Sequence, residues 1–360
     1  MDFLSLTQPE LEDELEKLGE PRYRAKQLFS WVYERRVGDF AAMSNLPAAL
    51  RGKFADSFQL RPLDKVQETG SKDTTRKFLF RLRDGQLIET VLIPASPALY
   101  GERADRRTIC ISSQVGCAYG CKFCASGLDG WKRNLSAGEI VAQFLAVEEL
   151  SGEKINNIVF MGMGEPFANY DNLMRAITII NAPWGLGLGA RHMTVSTSGL
   201  APRIRDFAEQ PLQVRLAISL HGATDEVRGQ IMPVNRKHPL GELLEACSHY
   251  TTRKKQHLTF EYILIHNVND SVEQAQALAG HARRLKAKIN LIPYNTVIGL
   301  EWERPSEAVQ EDFLKILLDR GAQATLRREK GHDIAAACGQ LRLQASRGKE
   351  PVQESAQGVC

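Results

Sequence analysis

The chain has 360 residues, 43% of them hydrophobic and 25% charged, an ordinary balance for a globular protein long enough to bury a core without disulfides. Its 46 basic and 43 acidic residues leave a formal charge of +3, which neither demands nor excludes a nucleic-acid partner and leaves local clustering to decide. No apolar run approaches the roughly eighteen residues of a membrane span, and the acidic start (Asp2, Glu10, Glu12, Asp13, Glu14) lacks a signal peptide's basic-then-apolar profile, so a cytoplasmic chain with no membrane association is expected.

Residues 1–58 read as a small helical domain. Apolar residues recur at helical spacing from Pro9 to Leu18, and the pattern resumes from Pro21 to Arg36 after the Gly19-Glu20-Pro21 break. Leu28, Val32 and Trp31 are its expected core. Seven basic residues (Arg22, Arg24, Lys26, Arg35, Arg36, Arg51, Lys53) face only Glu34 and Asp39 between positions 22 and 53, with Tyr23, Phe29, Trp31 and Tyr33 interleaved. Basic groups among aromatics suit phosphate contacts and base stacking; a solvated helix face is the plainer alternative.

Residues 59–97 change period. The run from Arg76 to Arg83 alternates, Asp84-Gly85 is a hairpin turn signal, and Leu87–Ile93 follows. A β-hairpin linker is expected here.

From 98 to 345 short apolar strands alternate with helical segments. The strand candidates are Arg107–Ser112, Asn157–Met161, Met193–Thr197, Val214–Ser219, Leu258–Ile265 and Ile289–Ile292, with helices at Ala137–Leu150, Tyr170–Ile180, Leu240–Tyr250 and Ser271–Leu285. Six βα repeats imply parallel strands and right-handed crossovers, hence an α/β fold built on a partial (βα)6 barrel. Chemistry in such folds gathers at the C-terminal strand ends. Residues 346–360 lack periodicity and read as a flexible tail.

The seven cysteines are unevenly spread: Cys110, Cys117, Cys121 and Cys124 fall together, whereas Cys247, Cys338 and Cys360 are scattered. Cys117-Ala-Tyr-Gly-Cys121-Lys-Phe-Cys124 is a CxxxCxxC triplet in a glycine-containing loop after a strand. Structural zinc takes four protein ligands, so Cys110 would have to complete a zinc site. A cubane iron–sulfur cluster held by three cysteines keeps one iron open for an exchangeable ligand.

The triplet resembles the signature of the radical S-adenosylmethionine (SAM) superfamily, as do the strand-end segments Gly162-Met-Gly-Glu-Pro166, Ser196-Thr-Ser-Gly199, Ser219-Leu-His221 and Pro293-Tyr-Asn295. The resemblance implies a [4Fe–4S] cluster on Cys117, Cys121 and Cys124, and SAM contacts at Gly164, Glu165, Ser196, Ser219, Leu220, His221 and Asn295. Taken singly, Ser and Asn after a strand are also ordinary helix caps.

A narrower resemblance runs over nearly the whole chain. The segments Thr108–Cys117, Asp333-Ile-Ala-Ala-Ala-Cys338-Gly-Gln340, Ile88–Pro94 and Leu18–Gln27 are similar to the RlmN family of adenine-C-2 RNA methyltransferases. That family implies an adenine of 23S rRNA as substrate, with tRNA as a second one. It implies methylation of Cys338 by one SAM and conversion of a second into a radical that activates the S-methyl group. It further implies ring-proton removal by Glu89 and attack of Cys110 on Cys338 to release product as a disulfide forms. An electron donor such as a flavodoxin and a monomeric enzyme go with it. Two alternatives stay open: an adenine C-8 methyltransferase of the Cfr type, and a non-enzymatic zinc-stabilised RNA-binding protein.

Overall fold

The computed structural model describes residues 1–71, 74–95, 105–128, 130–295 and 300–327. Cys338, its Asp333–Gln340 segment and the expected tail at 346–360 lie outside the described residues.

One sheet organises the chain. Its strands are β1 Leu63–Gly70, β2 Arg76–Leu82, β3 Leu87–Pro94, β4 Arg107–Cys110, β7 Asn157–Phe160, β8 Met193–Thr197, β9 Arg215–Ser219, β10 Thr259–Leu264, β11 Lys288–Pro293 and β12 Gln323–Leu326, in the order β1-β2-β3-β4-β7-β8-β9-β10-β11-β12. β5 Gln114–Gly116 and β6 Trp131–Asn134 form a separate two-stranded piece. Within the main sheet all pairings from β4 onward are parallel, so the six expected parallel strands are present and β12 adds another. The sheet is an open barrel wall with helices on its outer face.

The expected hairpin forms at β2–β3 through Asp84 and Gly85, with Gly85 N–H donating to Leu82 O at 2.9 Å. It is no free-standing linker, because β3 pairs antiparallel with β4 and extends the barrel sheet. Alternation sorts its residues onto two faces. Phe78, Phe80, Ile88, Leu92 and Ile109 join the main hydrophobic core. Lys77 and Cys110 both stand opposite Val91, so this row and Glu89, two residues along β3, occupy the other face.

The helical start packs on the barrel and shares its core. Glu10 accepts from the Thr7 N–H at 2.8 Å and closes a capping box on helix Gln8–Lys17. Phe3 meets Phe29, Phe40 and Phe58 edge-on, and Phe29 stacks on Trp184 of the barrel at 4.9 Å. Ion pairs Arg175–Glu10 (2.6 Å) and Arg36–Glu148 (2.7 Å) cross the same junction.

Candidate active site

The three thiols lie on a loop pinned at both ends. Cys117 N–H donates to Gly130 O at 3.2 Å, and Lys122 N–H donates to Ile231 O at 2.9 Å, tying the loop to helix Asp225–Ile231. Burial pushes the Cys117 thiol up to about 12 and Cys121 well above its ordinary range; the neighbouring thiols and Glu165 push in the same direction. The thiols thus feel one another's charge in a water-poor site that disfavours bare thiolates. Cationic irons would invert that preference and hold them as thiolates.

Among the described residues no three thiol, imidazole or carboxylate groups converge closely enough for a single metal ion. Tetrahedral zinc with 2.3 Å bonds needs its sulfurs about 3.8 Å apart, whereas a cubane seats each thiolate on a different iron. Cys110, the fourth ligand of the zinc alternative, is held in β4 opposite Val91 and not in the loop.

Glu165 follows β7 and is buried beside the thiols. Its carboxylate accepts from the N–H groups of Ser198 (2.7 Å) and Phe167 (3.0 Å), and its own N–H donates to Gln114 Oε1 at 2.8 Å. Burial raises its pKa, and the bonds from Ser198 and Phe167 oppose that rise. Gly164 precedes it at φ +98°, where a Cβ would meet Gln114 Cβ at 2.5 Å. Only glycine lets these chains approach so closely.

The ends of β8 and β9 meet through Ser196 Oγ and Ser219 Oγ, 3.3 Å apart. Leu220 is fully buried, and its N–H donates to Glu261 O at 3.0 Å. His221 adopts φ +54°, and its Nδ1 accepts from Ile263 N–H at 3.0 Å, so that nitrogen is unprotonated. Burial, then Arg228, lowers the imidazole pKa to about 3. The ring meets Phe123 of the thiol loop edge-on, centroids 4.7 Å apart.

Asn295 follows β11, and its Oδ1 is buried with no hydrogen-bond partner among the described residues; the Ser198 hydroxyl lies against the Glu165 carboxylate and helps to lower its pKa. A buried carboxylate beside the thiols and an unpartnered amide oxygen at the end of β11 fit a ligand carrying an ammonium and hydroxyl groups. A cavity of about 430 Å³, lined by Cys121, Lys122, Leu128, Leu300 and Trp302 among others, opens beside the loop.

Several residues that sequence reasoning passed over hold this site. Asn269 donates to His221 O (2.7 Å) and Ile263 O (2.6 Å) and accepts from Ile265 N–H (2.7 Å). Arg228, fully buried, donates to Asn235 Oδ1 (2.6 Å) and Ser198 O (2.5 Å). Glu261 of β10 accepts from Asn290 Nδ2 of β11 at 2.6 Å. It faces away from the Phe260 and Tyr262 core, on the side of its β9 neighbour Ser219. The only sequence signal for these is a polar residue inside or beside an apolar strand pattern.

Glu89 and Cys110 sit on one face of β3 and β4, and Ser112 connects them to the Gly162–Pro166 turn. Ser112 Oγ donates to Glu89 O at 2.6 Å and accepts from Met163 N–H at 2.9 Å. Lys77 Nζ lies 2.9 Å from Glu89 Oε2 with both side chains buried. Gln143 braces the same corner, exchanging bonds of 2.9 Å with both backbone groups of Ser112. Among the described residues there is no disulfide, and the other half of the Cys110–Cys338 pair lies outside them.

Residues 111–279 match the radical SAM superfamily and residues 1–60 the ribosomal RNA large subunit methyltransferase N-terminal domain. A protein of Akkermansia muciniphila named "Probable dual-specificity RNA methyltransferase RlmN" is 53% identical over 92% of this chain and 92% of its own. The chain belongs to the RlmN family. A relative in Opitutus terrae with the same name and the suffix 3 is 54% identical over 93% of this chain and 92% of its own. A solved radical SAM methyltransferase from Sphaerobacter thermophilus is 47% identical, covers 94% of this chain and 98% of its own, and superposes with a TM-score of 0.89.

As an RlmN enzyme the chain is a radical SAM RNA methyltransferase, and the superfamily's cluster and SAM fit the thiol and carboxylate set described above. The zinc-stabilised, non-enzymatic alternative is overturned.

The N-terminal helices correct one expectation. Phe29 and Tyr33 are core residues and offer no face to a base, and Trp31 is buried in the core as expected. Arg22 is ion-paired with Glu12, Asp13 and Glu16. What stays outward is Tyr23, 56% exposed, with Arg24 over its ring at 5.2 Å, beside exposed Lys26 and Arg35.

Proposed function

We propose that this enzyme methylates C-2 of an adenine in 23S rRNA, and of tRNA as a second substrate, by way of a methylated Cys338, using two SAM per turnover. What supports the reading is the placement of Glu89 and Cys110 on one sheet face, bridged by Ser112 to the turn that carries Glu165. When bound, the cluster and SAM supply the methyl group and the radical that an unactivated aromatic carbon requires.

The chain's own residues do the rest. Cys117, Cys121 and Cys124 hold the cluster. Gly164, Glu165, Ser196, Ser219, Leu220, His221 and Asn295 hold SAM, Glu165 taking its ammonium. Glu89 takes the ring proton. Cys110 attacks the Cys338 sulfur as a thiolate, and the reducing cytoplasm resets the resulting disulfide. A flavodoxin-like protein is the proposed electron source and a monomer the proposed working unit. The helical unit 1–58 is the proposed RNA-holding part, joined through the 59–97 hairpin to the 98–345 barrel.

The test is Cys110→Ala supplied with SAM, reductant and RNA. It should load Cys338, add to adenine and stall as a covalent protein–RNA adduct that survives denaturation. Normal turnover of that variant, or a wild-type product methylated at C-8, overturns the reading.

A further inference from the structure

We propose that Lys77 is the positioning residue that keeps the Glu89 carboxylate charged and aimed at the substrate face. The inference rests on Glu89 being the ring-proton acceptor. Lys77 Nζ lies 2.9 Å from Glu89 Oε2, and neither side chain reaches solvent, with exposures of 0% and 2%. Lysine is seldom buried in a strand without a charged partner. Here register produces the contact: Lys77 stands opposite Val91, and Glu89 is the same-face neighbour of Val91 on β3, a diagonal cross-strand pair.

The pair has a specific location. Cys110 also stands opposite Val91, so Lys77, Val91 and Cys110 form one row across β2, β3 and β4. The core face of these strands is filled by Phe78, Phe80 and Ile88; the charges occupy the face that carries the chemistry. A buried pair contributes little to stability compared with apolar residues of the same shape. Its position beside Cys110 therefore argues for a role in the reaction.

Among the described residues, other titratable or charged groups on this face are few. β2 adds Arg81, exposed at the strand end, and β4 adds Cys110. β1 places Thr69 opposite Lys77 and Gln67 opposite Leu79, neither of which titrates, and adds one carboxylate, the exposed Asp64 opposite Arg81. β5, which packs against β3, carries no charged residue. Among these groups Lys77 is the buried cation within ion-pair reach of Glu89.

In the step concerned, the proton on the ring carbon passes to a Glu89 oxygen. The C–H bond breaks, the O–H bond forms, and the bonding pair stays on the substrate. Lys77 stays an ammonium throughout and neither gains nor loses a proton. Without it the carboxylate loses the ion pair that aims it and becomes a buried charge without a partner, a costly arrangement.

The experiment compares Lys77→Met, Lys77→Arg and Glu89→Gln in the cluster-loaded enzyme across pH 6–9. Lys77→Met should still methylate Cys338 and cleave SAM. Its turnover near neutral pH should fall by about tenfold or more, and the acidic limb of its rate profile should move upward by at least about one pH unit. Protein–RNA adduct should accumulate at low pH and discharge when the pH is raised. Lys77→Arg should return the limb toward its wild-type position. Glu89→Gln should hold adduct at every pH.

Full turnover by Glu89→Gln would remove the proton-acceptor reading itself. A stalled Glu89→Gln alongside a Lys77→Met profile that is lowered uniformly, with its acidic limb unmoved, would make Lys77 merely structural and overturn the proposal. Should Lys77→Met not fold, Lys77→Gln keeps a donor, loses the charge and is judged on the same limb shift.

Discussion

Phe123 meets His221 edge-on, ring centroids 4.7 Å apart, and this contact joins the thiol loop to the end of β9. The imidazole is held neutral, its Nδ1 occupied by the Ile263 N–H and its pKa lowered by burial to about 3. An unfolded histidine binds its proton near pH 6.5. Between pH 6.5 and 3 the unfolded chain therefore binds more protons, and stability falls as pH falls, by at most about 1.4 kcal/mol per unit from this group. Denaturant melts of cluster-free protein at pH 7 and pH 5 should show this decline. His221→Asn, which tolerates a positive φ, should flatten it; an identical slope would place the proton uptake elsewhere.

Asn269 governs the same turn. Its amide satisfies two carbonyls and one N–H in a fully buried position. Asn269→Leu leaves all three unpaired, at about 1–3 kcal/mol for each buried group. A loss of about 3 kcal/mol or more is expected in equilibrium unfolding, with weaker SAM binding because His221 O is released. A change below 1 kcal/mol would mean that water replaces the amide.

RNA docking should divide the basic residues of the helical unit. Arg24 and Lys26 flank exposed Tyr23, whereas Arg22 is engaged by three carboxylates. Neutralising Arg24 and Lys26 should flatten the salt dependence of RNA binding by about 0.7 to 0.9 log units per lost phosphate contact. Arg22→Gln should leave the slope alone. Equal slopes for all three would return this surface to a solvated face.

These outcomes trace which parts of the molecule were legible in its sequence. Parallel strands such as Asn157–Phe160 announce themselves as continuous apolar runs because both faces are covered. β1, Leu63-Asp-Lys-Val-Gln-Glu-Thr-Gly70, and β12 are edge strands of half-exposed polar residues, and their pattern resembles a loop. The thiol triplet was readable from its spacing, and the Gly-Glu-Pro turn from its resemblance to the superfamily's segment. Ser112, Gln143 and Asn269 were not, since an uncharged hydroxyl or amide looks like a helix cap until its partners are known. Phe29 and Tyr33 misled for a related reason: an aromatic among arginines serves a core or a base equally well, and only burial separates the two.

Gly164 offers the most local test of how the proposed SAM site is built. It has φ +98°, and an added Cβ would lie 2.5 Å from Gln114 Cβ. Gln114 cannot retreat freely, because it donates to Asn134 at 2.7 Å and accepts from Glu165 N–H at 2.8 Å. Gly164→Ala therefore strains the backbone and pushes on the residue that fixes Glu165. SAM affinity should drop by tenfold or more, an effect of about 1.4 kcal/mol, when titrated by calorimetry into reconstituted enzyme. Gly152→Ala is the matched control: it also has positive φ (+68°), with nothing within 4 Å of its Cβ, at the end of helix Ala137–Ser151. It should cost about 1 kcal/mol of stability and leave SAM affinity unchanged. If both variants bind SAM like the parent, the close approach of Gly164 to Gln114 does not position Glu165.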